Sequence, residues 1–255
     1  MLPECENTHG ISSYALPFEE NPFAELYDSI HWEDLGKGRR GATLTNPAAD
    51  GSVPLVRTTT RYANPAQRFR PVHIQLAQRI CSHAGLPADF NNALVETYTN
   101  AYATMGSHTD QALDLADESH IAVFSCYRHP GPVAPRKLIV EPKGSTERFE
   151  IPLSHNGFVV FSVATNQLVK HKIVLDTSAR ATENYWLGIT FRTSKTAIHF
   201  HEGHPHLPRG DRLTLADESQ RQEFYQLRRR ENTETDFRYP PLIYTVSASD
   251  LLPPV

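Results

Sequence analysis

The sequence predicts a mainly β protein with flanking helices, an α+β chain whose centre is a sandwich, jelly roll or barrel. Three observations predict it. From Phe90 to Arg192 the chain is a succession of short β-branched and aromatic runs: NALVETY, HIAVFSCY, KLIVEP, RFEIPL, GFVVFSV, HKIVLD and NYWLGITFR. Turn residues separate them, at Gly106, Pro130-Gly131-Pro132, Lys143-Gly144 and Asn156-Gly157. Helical patterns lie before and after this block, not inside it. Many short strands at such spacing are how closed or double-layered β architectures read in sequence.

The elements follow in order. Residues 1–19 have mixed polarity and read as a loose arm. Asn21-Pro22 reads as a helix start, because Asn caps and Pro is tolerated at the first helical position. The helix then carries Phe23, Leu26, Tyr27, Ile30 and Trp32 on one apolar face, and GKGRRG (36–41) breaks it. VPLVRTTTRY (53–62) reads as a strand rich in Val and Thr. After Pro71, VHIQLAQRICSHAG reads as a second helix stopped by Gly85. Past residue 196, HFHEGHPHLPRG reads as a His/Pro/Gly loop, and a Thr214-x-x-Asp217 near-capping box opens an amphipathic helix ending at Arg228-Arg229-Arg230. LIYTVSA alternates like a late strand. No internal repeat and no second-domain boundary stands out.

Composition narrows the classes. A chain of 255 residues suits one large domain with a sizeable core. Its 39% hydrophobic content excludes disorder throughout, and the lack of a repeat excludes collagen-like and coiled-coil chains. No apolar run approaches the roughly 18 residues of a membrane span, so no membrane partner is expected. MLPECENTHG lacks the basic and apolar regions of a secretory leader. Cys5, Cys81 and Cys126 are odd in number and far apart, as reduced thiols are. The expected location is therefore cytoplasmic, with the nucleus also allowed. A net charge of −4 argues against avid nonspecific nucleic-acid binding but allows a local basic face.

The chemistry concentrates at His108-Thr109-Asp110. At the exit of a strand, positions i and i+2 point to one side, so an imidazole and a carboxylate reach one ion. His171, entering the apolar HKIVL run, is the best third ligand. Two imidazoles and a carboxylate on one face of an octahedral ion leave three positions open, the arrangement of non-haem Fe(II) oxygenases. H-x-D alone is a weak signal, and its surroundings strengthen it.

The segment FNNALVETYTNAYATMGSHTD (90–110) resembles the AlkB-like family of Fe(II)/2-oxoglutarate dioxygenases. Phe90-Asn91, Tyr98, Met105-Gly106, His108 and Asp110 fall in register with that family's Phe-Asn opening, strand Tyr and Gly-x-His-x-Asp. HIAVFSCY, PRKLIVEP and RFEIPLSHNGFVVFS match its next strands, and GITFRTS (188–194) its closing strand. The likeness spans about residues 20–196, so residues 1–196 are expected to form the dioxygenase domain with its N-terminal helices. Residues 197–255 are expected to be a C-terminal extension packed on or covering it.

The resemblance implies a double-stranded β-helix, or jelly-roll, core. It implies Fe(II) held by His108, Asp110 and His171, with no catalytic residue beyond these ligands. It implies 2-oxoglutarate bound by the Tyr98 hydroxyl and the Arg192 guanidinium, whose planar fork suits a carboxylate. O2 would be consumed, succinate released and the substrate hydroxylated; a hydroxylated N-methyl group then collapses to formaldehyde.

The chain also departs from the pattern. Glu96 stands where the family usually has Asn, and repels a cosubstrate carboxylate unless turned away or paired. Trp186 and Gly188 stand at the first Arg and the Asn of the closing Arg-x-Asn-Leu-Thr-Phe-Arg motif. Arg180, nine residues after His171, is the expected substitute for that arginine, and Lys172 the weaker one. Ala112 stands where DNA-repair members carry an acid, with Asp114 further along, which argues against a standard alkylated-base repair enzyme. For a flipped base, Tyr62 and Phe69 supply stacking and Arg57, Arg61, Arg68 and Arg70 supply phosphate contacts; a solvated loop face is the competing reading.

His199, His201, His204 and His206 read as solvated or packed rather than as a zinc site, Arg228–Arg230 as a solvated helix end, and Cys126 as a buried thiol. The expected function is oxidative hydroxylation or demethylation of a nucleobase, free or in nucleic acid. The alternatives are a hydroxylase of a small metabolite or protein side chain, and a catalytically idle binding module of the same fold.

Overall fold

The computed structural model describes residues 6–8, 10–87, 90–176 and 183–255. The chain opens with strands β1 (Glu6–Thr8) and β2 (Ile11–Ala15), helix α1 (Phe23–Asp28), and strands β3 (Glu33–Gly36), β4 (Arg39–Thr45), β5 (Val53–Leu55) and β6 (Gln67–Arg68). Helix α2 (Pro71–Ala84) leads into β7 (Asn92–Thr99), β8 (His120–Tyr127), β9 (Arg136–Pro142), β10 (Phe149–Pro152) and β11 (Gly157–Ser162). Helix α3 (Val163–Leu168) connects to β12 (Val169–Leu175) and β13 (Tyr185–Arg192). The last part holds β14 (Thr196–His201), β15 (His204–His206), β16 (Thr214–Leu215), helix α4 (Glu218–Glu231), β17 (Tyr244–Thr245) and a 3-10 turn at Ala248–Leu251.

One sheet dominates, in the order β1-β2-β11-β8-β13-β7-β4-β3, with β6 beside β4. Its central pairs are antiparallel. A second sheet, β10-β9-β12, completes a jelly roll. Side chains alternate across the large sheet, as strand geometry requires. Ala93, Val95, Phe124, Leu187, Ile189 and Phe191 point outward and are covered by Leu26 of α1 and Leu76 and Ile80 of α2. Tyr98, Val123, Val159, Phe161 and Trp186 point inward and meet Leu138, Val140 and Ile173 of the second sheet. The β-branched and aromatic runs thus form strands because both of their faces are buried.

Helix α2 matches its sequence signals. Pro71 is its first residue, and Gly85 ends it in the left-handed conformation at φ 64°. The Arg70 N–H donates to Nδ1 of His73 at 3.0 Å. The other His73 nitrogen lies 2.8 Å from Ser29 Oγ in a buried contact that ties α2 to the end of α1. Among the described residues no helix is long and apolar enough to cross a membrane.

Several expectations are corrected. The described part of the N-terminal arm is not loose: β1 pairs with β2, Ile11 buries its side chain and β2 pairs with β11 at the sheet edge. Helix α1 stops at Asp28, and GKGRRG is a hairpin turn from β3 into β4, with Lys37 and Gly38 at positive φ. Only Val53–Leu55 of the 53–62 run is a strand. The His-rich loop is a hairpin, β14 and β15, turning at Glu202 and Gly203 with φ of 50° and 77°. The last helix is capped by Asp217 and Gln220, whose side chains accept from each other's backbone N–H groups, while Thr214 lies in β16. LIYTVSA contributes only the short β17, parallel to β16. Cys126 is buried as expected, and burial pushes its thiol pKa up. Cys5 lies outside the described residues.

His73 gives a pH test of this packing. Burial, with Arg70 adding to it, lowers its pKa from 6.5 to about 4. The folded state holds the neutral ring, so its contribution is complete above the unfolded pKa and is lost as pH falls from about 6.5 to 4. Asp250, raised by burial to about 7, works in the opposite sense across part of this window. The diagnostic quantity is therefore a difference. The stability of the wild type relative to His73→Gln, which does not titrate, should fall by roughly 3 kcal/mol between pH 7 and 4. Denaturant unfolding at both pH values measures it, and a constant difference contradicts this reading of His73.

Candidate metal centre

The chain leaves β7 and returns alongside β12. Leu175 N–H donates to Ala103 O at 2.7 Å, and Thr104 forms a bridge with Val174. His108 N–H donates to His171 O at 2.9 Å, and His171 N–H donates back to His108 O at 2.7 Å. This exchange sets the two imidazoles side by side, with ring centres 4.8 Å apart. Asp110 Oδ1 lies 3.5 Å from Nε2 of His108 and 3.5 Å from Nε2 of His171. Among the described residues these three form the one group of metal-ligand side chains, their ligand atoms all within 4.8 Å of one another. The histidines at 199, 201, 204 and 206 form no such group.

The donor set fits a divalent transition ion. His108 Nδ1 lies 2.9 Å from Gly106 O, which only accepts, so Nδ1 carries the proton and Nε2 offers its lone pair. Burial lowers the His171 pKa, which favours the neutral ring that a metal requires. The two oxygens of Asp110 are divided. Oδ2 accepts from Arg192 Nη2 at 2.8 Å and from Nε at 3.2 Å, while Oδ1 faces the imidazoles. Burial opposes the Asp110 charge, but Arg192 and the two imidazoles outweigh it and hold the carboxyl well below its usual range.

The backbone of Asp110 is fixed by α3. The N-cap Ser162 accepts from Thr165 N–H at 2.9 Å and starts the helix. Its fourth residue, Asn166, accepts from Asp110 N–H at 2.9 Å and donates to Asp110 O at 2.7 Å. Helix α4 holds the same loop from the other side. Arg228 donates to Thr109 O at 2.9 Å, Asn232 Oδ1 accepts from Thr109 N–H at 2.8 Å, and Glu231 accepts from Ala112 N–H at 2.8 Å. Arg228 and Glu231 are also a buried ion pair. Arg228 is thus not part of a solvated helix end, because Thr109 and Glu231 draw it inward. Lys143 donates to Glu231 O and Glu234 O, locking the end of α4 onto the β9 turn.

The remaining candidates separate clearly. Tyr98 is buried inside the barrel, and its hydroxyl donates to Glu96 Oε2 at 2.5 Å. Glu96 also accepts from Arg39 Nε at 2.7 Å, so its carboxylate is paired. Trp186 packs 4.8 Å from the Tyr98 ring and lies over Gly188, where an added Cβ would meet it at 2.0 Å. Lys172 pairs with Glu141 at 3.1 Å. Arg180 lies outside the described residues.

The structure gives Arg57 no substrate role. Its side chain is buried, bonded to both oxygens of Asp114 and to the carbonyls of Leu242 and Tyr244. Tyr62 and Phe69 are buried and present no stacking face at the surface. Arg61 is exposed, 3.5 Å from the Tyr225 hydroxyl. Arg39, Asn166, Glu231 and Asn232 escaped the sequence reading, and Arg228 was read only as part of a solvated helix end. None stands in a motif, and only the fold brings them to the site.

The Asn166 clamp can be tested on stability alone. Asn166→Ala leaves a buried N–H and C=O of Asp110 without partners, which should cost roughly 2–4 kcal/mol in urea unfolding. A change below about 0.5 kcal/mol, the size of an ordinary surface substitution, contradicts the clamp.

Comparison with known proteins gives a consistent picture of the fold. No family sequence model and no curated protein matches the chain. A solved structure of OsALKBH1 superposes with a TM-score of 0.53 at 11% identity, covering 74% of this chain and 100% of that one. A 2OG-Fe(II) oxygenase family oxidoreductase from Burkholderia pseudomallei gives 0.44 at 12% identity, covering 72% and 84%. With strand pairing, jelly-roll layers and the OsALKBH1 likeness together, the chain has the fold of the AlkB-like 2OG-Fe(II) oxygenases.

Proposed function

We propose that this protein is an Fe(II)- and 2-oxoglutarate-dependent dioxygenase that hydroxylates or oxidatively demethylates a nucleobase-sized substrate. The observation that carries the reading is the cluster of His108, Asp110 and His171, built on a backbone bridge and held from two sides. His108 Nε2, His171 Nε2 and Asp110 Oδ1 would hold the metal. When bound, Fe(II) with 2-oxoglutarate and O2 supplies an oxidant for a C–H bond, and the oxo acid leaves as succinate and CO2. Arg192 keeps Asp110 ionised and aimed. Its second task is to receive a cosubstrate carboxylate, for which a guanidinium fork is suited.

A cavity of about 430 Å³ lies beside the loop that carries Asp110, and none of His108, Asp110 and His171 lines it. Ala112 and Leu113 line it on the loop side, and Lys195, Tyr239 and Leu242 on the other. The burial of Arg57 and Tyr62 removes the basic and aromatic face a duplex would need, which favours a single base, a nucleotide or a metabolite. A second reading, the idle binding module, is favoured by one observation: the Tyr98 hydroxyl is already taken by Glu96.

The test is turnover. Protein prepared under nitrogen with Fe(II) and then given O2 should convert 2-oxoglutarate to succinate, and His108→Ala should lose both metal and succinate formation. Metal binding without succinate selects the idle module. Unchanged turnover in His108→Ala refutes the assigned ligands. Formaldehyde from methylated oligonucleotides, set against a metabolite panel, separates the substrate classes.

A further inference from the structure

Most of the cavity beside the Asp110 loop is built by the C-terminal extension. Four separate segments meet around its volume of about 430 Å³: residues 112–117, 195–196, 207–211 and 237–243. Their backbones are held by bonds that need no ligand. The Tyr239 hydroxyl donates to Glu231 Oε2, and Glu231 Oε1 accepts from Ala112 N–H. Arg57 donates to Leu242 O, and Lys195 N–H donates to Asp114 O at 2.8 Å. Leu207 N–H donates to Asp211 O at 2.8 Å and closes the turn that carries Arg209. Largely pre-formed clefts of this size are where small molecules bind.

The lining has two chemical properties. The first is an open apolar wall. Leu113 and Leu207 are half-buried, Pro240 and Pro241 are exposed, and Ile243 keeps 47% of its surface open. Apolar residues scattered singly need no explanation, whereas apolar surface gathered in one cleft marks a binding face. The second is an excess of positive charge. Lys195, Arg209 and Arg238 bring three positive charges to the lining, and Asp117 and Asp211 bring two negative ones, which leaves one positive charge over. The buried Arg57 is neutralised by Asp114. Lys195 is spent on Asp117 at 2.8 Å. Lys195, and behind it Arg238, lower the Asp117 pKa, so both cations stand by this one carboxylate. Among the described residues Arg209 and Arg238 form no ion pair.

We propose that this cavity binds a small carboxylic acid with an apolar body, of the aryl or branched acyl kind. The body lies on the wall of Leu113, Leu242, Ile243 and the two prolines. The carboxylate meets the guanidinium of Arg238, whose planar fork matches it, and Arg209 adds its charge. A monoanion suits the lining better than a dianion, because one negative charge cancels the one positive charge left over. The contact is noncovalent, and no bond is made or broken. No residue of the triad takes part, so the site does not depend on the oxygenase reading.

The probes are 3-phenylpropionate, its neutral counterpart 3-phenylpropanamide, and acetate, which has the charge without the body. Each is titrated by NMR into full-length protein in EDTA, so that no metal contributes. Wild type should bind the phenyl acid at least about tenfold more tightly than the amide or acetate, the worth of one charged hydrogen-bonded contact. Arg238→Gln should bring the acid down to the affinity of the amide. Ile243→Ser should weaken acid and amide together and keep their ratio. Both side chains are exposed, so neither change threatens the fold. Arg229→Gln removes an equal charge from the exposed side of α4, outside the cavity, and should keep the wild-type ratio. Equal affinity for acid and amide in wild type, or no saturable binding of the acid, overturns the proposal. So does an unchanged ratio in Arg238→Gln, unchanged binding in Ile243→Ser, or an equal loss in Arg229→Gln.

Discussion

One pair of backbone hydrogen bonds, exchanged between His108 and His171, is the constraint on which the rest depends. It extends the contact between the loop and β12 beyond the Thr104–Val174 bridge, and it decides which way two imidazoles face. Side chains alternate along a strand, so a slip of one residue would turn His171 out of the barrel and bring Lys170 or Lys172 in. The register is secured on the other edge of β12, by seven consecutive pairs with β9. The geometry of the triad is thus a by-product of sheet assembly, and it forms where the second sheet closes over the first.

Charge is organised around this bridge in layers. Asp110 divides its oxygens between Arg192 and the imidazoles, which keeps one of them available to an ion. Its backbone is gripped by Asn166, and the neighbouring backbone by Arg228, Glu231 and Asn232. Buried polar networks of this kind are costly when partly satisfied and rigid when complete. Residues 218–232 therefore belong with the site energetically, although they lie far from it in sequence.

Much of the fold was legible because packing follows pattern. The strands β7 to β13 read as strands from β-branched alternation, and α2 from Pro71 and Gly85. β4 did not, because its inward positions are Arg39, Gly41, Thr43 and Thr45. Arg39 is used for an ion pair and Gly41 is left bare under the Tyr62 hydroxyl, so only Ala42 and Leu44 carry an apolar signal. The hairpin of β14 and β15 was hidden by its histidines and proline. The grouping of His108, Asp110 and His171 was legible from H-x-D and its surroundings. The residues that steady it were not, since RRRE at the end of α4 reads as a solvated face until Thr109 and Ala112 are placed against it. Arg57 was misread for the converse reason, because its partner Asp114 becomes a neighbour only in three dimensions.

The central claim is that the bridged triad is a metal site. Crystals grown with Fe(II) under nitrogen and measured at the iron absorption edge test it most directly. The account predicts one anomalous peak within coordination distance, about 2.0–2.2 Å, of His108 Nε2, His171 Nε2 and Asp110 Oδ1. A peak elsewhere, for instance on the histidine hairpin of β14 and β15, or an ordered triad with no iron between its side chains, would contradict it.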